Sequence, residues 1–273
     1  MVITFLGGGK MATSLIEGLQ SISHKGLIQV IEPEKKIREK LKNHFNVIVL
    51  DKDIEDQYKN FISNSDVLIL SIKPQTFKEI SVALEKYVSK EQTIISIMAG
   101  ISIPTITNYL KSNNIIRIMP NTPVQVKSGM SMWTASENVN SNSLDFCKNL
   151  LKSIGKEIYT SNENNLDIAT AISGSGPAYV FLMIESLTES VVRLGLEYDI
   201  SLELAIQTVF GAGKLALLSN ISPKELRKNV TSPGGTTEAG IKSMLKNGLV
   251  QSIIEGVNAA FEKSIELGNK EKS

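Results

Sequence analysis

The stretch VITFLGGGKMA, residues 2–12, places an apolar strand candidate directly before a glycine turn and the start of an amphipathic segment. Gly7, Gly9 and Ala12 match the pattern G-x-G-x-x-A in the context that this pattern requires. Gly7 permits a tight turn, Gly9 lets a pyrophosphate approach the backbone, and Ala12 allows close contact between helix and strand. The free N–H groups of the helix start then face the phosphates. The pattern predicts dinucleotide binding; the alternative is a glycine turn without a ligand.

The second strand candidate ends at Glu32, where an acid can accept hydrogen bonds from the ribose 2′-hydroxyl of NAD and repels the 2′-phosphate of NADP. Lys35, Lys36 and Arg38 follow closely and could soften that repulsion. A solvated helix start with acids near its N-terminus is the alternative interpretation. On balance, Glu32 favours NADH over NADPH.

The first 160 residues alternate short apolar runs with amphipathic ones. The runs are apolar at consecutive positions, which is typical of strands that are covered on both faces. Strand candidates are 2–6, 28–32, 47–50, 66–72, 93–98 and 115–119, with 129–133 and 157–160 as extensions. Segments with helical spacing lie at 10–21, 34–44, 76–88 and 141–152. Strand–helix alternation predicts a doubly wound parallel sheet of the Rossmann type.

From residue 161 onwards the pattern is helical throughout. Helices are predicted at 177–194, 201–219, 222–229, 236–247 and 249–267. Ser222 and Glu225 form a helix start signal, and Gly248 and Gly268 are placed as C-terminal caps. The first of these helices is apolar around most of its circumference, so it requires cover from a second subunit. We therefore expect a dinucleotide-binding domain at 1–160 and an all-helical dimerisation and substrate domain at 161–273.

The composition restricts the partners and the compartment. A formal net charge of +1 gives no electrostatic reason to expect nucleic acid or a membrane. No apolar stretch is expected to approach the roughly 20 residues that span a bilayer. Cys147 is the single cysteine, so no intrachain disulfide and no multi-cysteine metal site is expected, and no metal is assigned. The N-terminus lacks the features of a secretory signal, and a reducing cytoplasm is the expected location.

The small number of candidate proton donors bears on the class of substrate. Reduction of a carbonyl needs a proton donor for the developing alkoxide, often His, Lys or Tyr. His24 and His44 are predicted far from the crevice at the carboxyl ends of the strands, and Cys147 is predicted to be packed on a helix. A protonated imine already carries its proton, so correct positioning beside a nicotinamide can suffice.

Six segments resemble those of the pyrroline-5-carboxylate reductase family, in order along essentially the whole chain. They are GGGKMA (7–12), SIKPQ (71–75), SIMAGI (96–101), RIMPNTP (117–123), ISGSGPAYVF (172–181) and TSPGGTTEAGI (231–241). The resemblance implies a Rossmann domain followed by a helical domain through which subunits form dimers or larger homo-oligomers. It also implies the last step of proline biosynthesis, the reduction of 1-pyrroline-5-carboxylate to L-proline by NADH or NADPH.

The resemblance and the sequence patterns together assign the site residues. Cofactor contacts are expected from Leu6, Gly7, Gly8, Gly9, Lys10, Met11, Ala12, Glu32, Ser71, Ile72, Lys73, Pro74, Ile97, Met98, Ala99 and Asn121. Substrate contacts are expected from Ser175, Gly176, Ser232, Gly234, Gly235, Thr236 and Thr237. The chain departs from the family pattern at Glu32, because members that favour NADPH tend to carry small polar or basic residues there. The cofactor preference therefore does not follow from the resemblance.

In the expected mechanism, backbone N–H groups at the start of helix 236–247 hold the ring carboxylate, and the Thr237 hydroxyl holds the ring nitrogen. Considered only as a helix start, the segment could be capped by Thr236 alone. One alternative is another two-domain imine or β-hydroxyacid dehydrogenase. The absence of lysine from residues 178–196 disfavours a β-hydroxyacid enzyme, which usually carries one there. Another alternative is a non-catalytic NAD(P)-binding oligomeric sensor, which would bind cofactor without turnover.

Overall fold

The computed structural model describes residues 1–51 and 55–270. Its strands are β1 (Ile3–Leu6), β2 (Ile28–Ile31), β3 (Ile48–Leu50), β4 (Val67–Leu70), β5 (Thr93–Ser96), β6 (Ile115–Met119), β7 (Gly129–Ala135) and β8 (Gly155–Tyr159). Between them lie helices α1 (Lys10–Ser21), α2 (Lys35–His44), α3 (Glu55–Ser63), α4 (Pro74–Glu85), α5 (Ile103–Leu110) and α6 (Ser141–Ser153). The remaining helices are α7 (Asn165–Ala169), α8 (Gly176–Arg193), α9 (Tyr198–Leu218), α10 (Pro223–Asn229), α11 (Thr236–Lys246) and α12 (Leu249–Lys270).

The eight strands form one sheet in the order β3-β2-β1-β4-β5-β6-β7-β8. The first six are parallel and follow the Rossmann order 3-2-1-4-5-6, so the predicted doubly wound sheet is confirmed. Strand β4 shows why these runs are apolar at consecutive positions. Val67 and Ile69 belong to one core cluster, and Leu68 and Leu70 belong to the other, because helices cover both faces.

Strand β7 does not continue the parallel pattern. It pairs antiparallel with β6, with Met119 opposite Met132, and β8 then pairs parallel with β7. A parallel crossover needs a dozen or more residues, usually as a helix. Only a short 3₁₀ helix, Thr122–Val126, separates β6 from β7, so the chain turns back on itself.

Helices α3, α5 and α7 and the 3₁₀ helix were not among the predicted segments. α5 carries a readable start signal, because the Ser102 side chain caps it by accepting a hydrogen bond from the Thr105 N–H, and Pro104 occupies its first turn. α7 is only one turn and a half long and runs into a π-helical turn, Thr170–Gly174. Short segments of this kind leave little periodicity in a sequence.

Two helix-end predictions are wrong. Gly268 lies inside α12, which continues to Lys270, so it is not a C-terminal cap. A Cβ atom at Gly268 would lie 2.9 Å from the Gly100 carbonyl oxygen, so the close contact with the loop after β5 explains the glycine. Thr236 is the first residue of α11 rather than its cap, which is Gly235. Gly248, with a φ of 82°, does follow the end of α11 as predicted.

The chain divides into two compact units. The first comprises Met1–Gly174 together with Ala260–Ser273 and contains the sheet. The second comprises Ser175–Ala259 and contains α8 to α11 and the beginning of α12. The boundary between the compact units follows Gly174. The predicted boundary at residue 160 instead marks the change from strands to helices, just after the last strand. The predicted domain limits remain a proposal.

The second unit exposes many large apolar side chains along α8 and α9. Phe181, Leu182, Phe210 and Leu218 are each more than half exposed in the protomer. In the described part of the chain, two segments, Asn165–Arg193 and Tyr198–Leu218, are long and apolar enough to cross a membrane by length and composition. The expectation that no segment approaches this length was therefore wrong. A subunit interface accounts for the same apolar surface, because such interfaces are apolar at their centre.

Candidate active site

The first unit brings three predicted cofactor segments to the carboxyl edge of its sheet. β1, β4 and β5 are parallel neighbours, so the loops that follow them lie side by side. The Ser71 N–H donates to the Leu6 carbonyl at 3.0 Å, and the Ile97 N–H donates to the Leu70 carbonyl at 3.2 Å. The loops that begin at Gly7, Ser71 and Ile97 are therefore joined at their starts by sheet-like hydrogen bonds.

Gly7 is confined by the loop after β4. Its φ of 95° lies in the region that favours glycine, and a Cβ atom there would stand 2.6 Å from the Ser71 carbonyl oxygen. The Ser71 hydroxyl also donates to the Gly7 carbonyl at 2.6 Å. Ser71 therefore links the glycine turn to the end of β4. At least part of the role of Ser71 is to shape this turn.

The start of α1 is shaped to receive an anion. Its N-terminal cap is Gly9, and no side chain caps it. A Cβ atom at Gly9 would meet no atom within 4 Å, so open space lies in front of the first N–H groups of the helix. Lys10 is exposed beside this space, whereas Ala12 is fully buried against the sheet. These residues fit the pyrophosphate of a dinucleotide.

Glu32 is buried at the end of β2, with 6% of its surface exposed. Its Oε2 accepts a hydrogen bond from the Gly8 N–H at 2.7 Å, and its Oε1 accepts one from the Glu34 N–H at 2.8 Å. Each carboxylate oxygen retains further acceptor capacity. The carboxylate is thus fixed beside the glycine turn, where an acid contacts the ribose of NAD in Rossmann folds.

The other predicted cofactor residues follow the strands at the same edge of the sheet and differ in their exposure. Lys73 caps α4 and is exposed, and Pro74 is the first residue of that helix. Met98 is buried, while Ile97 and Ile72 are half-buried and Ala99 is exposed. Asn121 follows β6, and its Oδ1 accepts a hydrogen bond from the Met130 N–H at 2.8 Å. The amide NH₂ is therefore the part of Asn121 that can face a ligand.

In the second unit, the segment 232–237 forms a turn that leads into α11. The Gly235 N–H donates to the Ser232 carbonyl at 3.0 Å, and Gly234 has a φ of 72°. The Gly234 N–H donates to Glu238 Oε2 at 2.9 Å. This backbone hydrogen bond, followed by Lys242, holds the pKa of Glu238 below its ordinary value. Gly234 and Gly235 therefore use their own N–H groups within the turn.

The N–H groups of Thr236 and Thr237 belong to the first turn of α11, which has no intrahelical acceptor for them. Gly235 caps this helix without a side chain, and both threonines are exposed in the protomer. Ser175 and Gly176 lie elsewhere in the second unit, at the start of α8, and both are half-buried. The start of α11 is thus an exposed array of backbone donors with the Thr237 hydroxyl beside it.

Comparison with known proteins gives a consistent result over the whole chain. Residues 163–267 match the family described as pyrroline-5-carboxylate reductase dimerisation, and residues 2–100 match the family described as NADP oxidoreductase, coenzyme F420-dependent. Pyrroline-5-carboxylate reductase of Pseudomonas aeruginosa is 37% identical, over 98% of this chain and 97% of the relative. The chain belongs to the pyrroline-5-carboxylate reductase family.

Solved structures of pyrroline-5-carboxylate reductases have the same fold. The Coxiella burnetii enzyme matches with a TM-score of 0.86 and 34% identity, covering 97% of each chain. The Plasmodium falciparum enzyme, solved with NADP bound, matches with a TM-score of 0.85 and 30% identity, covering 98% of each chain. The predicted family and its two-part fold are therefore confirmed.

The histidines and the cysteine of the chain lie away from the cofactor edge. His24 follows the end of α1 and His44 ends α2, so both lie toward the amino ends of the strands. Burial lowers the pKa of His24, which keeps its ring neutral. Cys147 is buried on α6, and this burial, with Glu157 nearby, raises the pKa of its thiol. A buried, protonated thiol is a poor nucleophile.

One charged cluster near the cofactor edge was missed by sequence reasoning. The guanidinium of Arg117, on β6, is 2.8 Å from Glu163 Oε1 and 3.4 Å from Asp167 Oδ1. Ser264 of α12 donates to Asp167 at 3.0 Å, and the Ile103 N–H donates to Glu163 at 2.8 Å. The available signal was an arginine within the otherwise apolar strand IIRIM, because a buried charge requires partners.

Proposed function

We propose that the protein reduces 1-pyrroline-5-carboxylate to L-proline with NADH or NADPH, the last step of proline biosynthesis. The observation that carries this proposal is the match to pyrroline-5-carboxylate reductases over nearly the full length of both chains. The glycine turn and uncapped start of α1 provide the dinucleotide site, and the uncapped start of α11 provides donors for an anionic ring. The start of α1 thus provides cofactor binding, and the start of α11 provides substrate binding.

The cofactor is held by the carboxyl edge of the sheet. In this proposal the N–H groups at the start of α1 bind the pyrophosphate, and Glu32 accepts from the adenosine ribose. The segments 71–74 and 97–99, with the amide NH₂ of Asn121, line the nicotinamide end. When bound, the nicotinamide supplies the hydride that becomes the new C–H bond of the product.

The substrate is held by the second unit. The N–H groups of Thr236 and Thr237 bind the ring carboxylate, and the positive end of the α11 dipole favours that charge. Ser232, Gly234 and Gly235 shape the turn that exposes these donors. Because Gly234 and Gly235 use their own N–H groups within the turn, their part is conformational. Ser175 and Gly176 contribute the remaining wall of the substrate pocket.

Thr237 is the residue proposed to act at the reacting group. Its hydroxyl accepts a hydrogen bond from the protonated ring nitrogen and orients the iminium carbon toward the hydride donor. The hydride brings both electrons to that carbon, and the C=N bond becomes a C–N single bond. The nitrogen keeps its proton and becomes the secondary amine of proline. No separate proton donor is needed in this step, which accords with the distant histidines.

Glu32 favours NADH in this proposal. Its carboxylate is fixed by two backbone N–H groups and cannot turn away to admit a 2′-phosphate. Parallel steady-state kinetics with the two cofactors measure the preference. A preference for NADPH of more than about tenfold would contradict this interpretation of Glu32, since tenfold corresponds to ~1.4 kcal/mol of differential binding.

The organisation of the chain completes the proposal. Residues 1–160 constitute the dinucleotide-binding domain, and residues 161–273 constitute the helical domain that binds substrate and self-associates as a homodimer or a larger homo-oligomer. The exposed apolar faces of α8 and α9 support self-association. A cytoplasmic location fits the single free cysteine, because a reducing compartment keeps thiols unpaired.

The decisive experiment follows cofactor oxidation in the presence of 1-pyrroline-5-carboxylate, with proline detected as the product. Turnover with at least one of NADH and NADPH is expected. Cofactor binding without turnover would instead support a non-catalytic sensor. If the protein oxidises a β-hydroxyacid with NAD or NADP and does not reduce the imine, the result would support a β-hydroxyacid dehydrogenase.

A further inference from the structure

Arg38 is a cation that the structure places at the end of β2, where its Nη1 lies 3.0 Å from the Glu32 carbonyl oxygen. In Rossmann folds that bind NADP, a nearby arginine accommodates the 2′-phosphate of the adenosine ribose. Arg38 lies on α2, a short distance along the chain from Glu32, and its side chain is only 17% exposed. It is therefore positioned to serve a 2′-phosphate if its guanidinium is free to turn toward one.

The guanidinium of Arg38 is held by other groups. Its Nη1 donates to the Glu32 carbonyl at 3.0 Å and to the Pro33 carbonyl at 2.6 Å. Its Nη2 lies 2.7 Å from Oδ2 of Asp51, which follows the end of β3. The two backbone carbonyls are neutral acceptors, so Asp51 is the charged partner of Arg38 among the residues that the structure describes. A phosphate would have to displace Asp51 to obtain the charge-assisted bond.

From this geometry we infer that Asp51 is a specificity-determining residue, which disfavours NADPH by holding Arg38 away from a 2′-phosphate. The inference rests on the proposed function, because it concerns the cofactor that the proposal assigns. It adds a second mechanism to that of Glu32. Glu32 repels the phosphate directly, whereas Asp51 withholds the cation that would bind it.

Lys35, another cation on α2, is a weaker candidate for a phosphate contact. Lys35 is 81% exposed and lies 3.9 Å from Glu39, one turn further along the same helix. Its flexible side chain is strongly hydrated and makes a weaker, less directional phosphate contact than a guanidinium. Arg38 is therefore a stronger candidate than Lys35 for the contact that distinguishes NADPH from NADH.

The test measures NADH and NADPH affinity of the full-length protein by nicotinamide fluorescence, without substrate. Asp51→Ala and the more conservative Asp51→Asn should each raise the affinity for NADPH relative to NADH. For Asp51→Ala the expected change is about tenfold, the factor that one added charge-assisted hydrogen bond supplies. Thermal unfolding of each variant verifies that it is folded.

A double variant separates release of Arg38 from simple removal of a negative charge. In Asp51→Ala/Arg38→Ala the gain for NADPH should disappear, because the freed guanidinium is no longer present. Glu39→Gln, which removes an exposed carboxylate from the same helix, should leave the cofactor ratio unchanged. A gain that persists in the double variant, or an unchanged ratio in folded Asp51 variants that bind both cofactors, overturns the inference. Failure of the wild-type protein to bind either cofactor instead refutes the proposed function and, with it, this inference.

Discussion

Gly7 and Gly9 are two residues apart, yet the structure constrains only Gly7 sterically. Gly7 has a positive φ and lies against the Ser71 carbonyl, so its constraint exists in the empty protein. Gly9 has an ordinary φ of −64°, and a Cβ atom there would meet nothing within 4 Å, so we propose that its constraint arises only when a ligand approaches. The same residue type thus serves folding at one position and binding at the other.

Alanine substitutions at these two glycines should separate stability from cofactor binding. Gly7→Ala should lower the free energy of unfolding by about 2 kcal/mol, because alanine is strained at this φ and clashes with the loop after β4. Gly9→Ala should lower it by less, about 0.5–1 kcal/mol, because alanine is a poorer N-terminal cap than glycine. It should nevertheless weaken NADH and NADPH binding by at least about tenfold, since its methyl group occupies the pyrophosphate approach. Urea unfolding gives the free energy of unfolding, and fluorescence titration gives the cofactor affinity. The distinction would be contradicted if the two variants had the same stability and the same loss of affinity.

Thr237 is tested by replacing its hydroxyl and leaving its shape. Thr237→Val should lower kcat by about a hundredfold, the usual scale for a single polar group that acts at the reacting atoms. NADH affinity should stay unchanged, because Thr237 is proposed to contact the substrate and not the cofactor. Thr237→Ser should retain most activity, since it keeps the hydroxyl. Unchanged kinetics in Thr237→Val would remove the residue from the mechanism.

At the scale of the element, the Arg117 cluster joins β6 to α7 and α12. The guanidinium is nearly buried, and its carboxylate partners Glu163 and Asp167 also bind the Ile103 N–H and the Ser264 hydroxyl. Two loops beside the cofactor edge, those after β5 and β6, begin or end close to this cluster. The cluster therefore stabilises the elements that carry the proposed nicotinamide contacts.

Arg117→Met should lower the free energy of unfolding by about 3 kcal/mol, because it leaves two partly buried carboxylates without their cation. Lys35→Met is the matched control. It removes an 81% exposed cation from an ion pair with Glu39, and it should change stability by less than about 0.5 kcal/mol. Denaturant unfolding measures both. A loss below about 1 kcal/mol for Arg117→Met would mean that water or rearrangement compensates the carboxylates.

At the scale of the whole molecule, the apolar surface of α8 and α9 is the feature that the protomer leaves uncovered. Phe210 is 58% exposed, although α9 is one of the most apolar helices in the chain. Surface patches of this kind mark interfaces. The match of residues 163–267 to a dimerisation family identifies the partner as a second copy of the chain.

Phe210→Asp should weaken self-association, because it places a charge in the apolar surface that is proposed as the interface. Light scattering after size-exclusion chromatography should show a smaller species than the wild-type protein, or a shift toward it on dilution. Val82→Asp is the control, since Val82 is 68% exposed on α4 in the other unit and stands outside this surface. An unchanged oligomer in Phe210→Asp would place the interface elsewhere.

The predictions from sequence were accurate for elements whose structure follows from a pattern of neighbouring residues. The six parallel strands were predicted because each is an apolar run, and apart from Ile48 in the edge strand β3 these runs are almost entirely buried. Helix α10 was predicted from its Ser222–Glu225 capping box, which the structure contains. The antiparallel β7, the interior position of Gly268 and the missing threonine cap of α11 were not predicted. Each of them depends on a partner distant in the sequence or on the path of the connecting chain.

The sequence by itself determined the Rossmann type of sheet, the glycine turn, the helical second half and the family, because these depend on residue type and spacing along the chain. Only the tertiary structure decided which glycines are sterically required, which N–H groups are already used, and that Arg38 is bound by Asp51. These properties are distances between atoms whose positions the local pattern leaves open. Hydrogen bonds and steric contacts act over a few ångströms, so they are defined only once the fold has brought their atoms together.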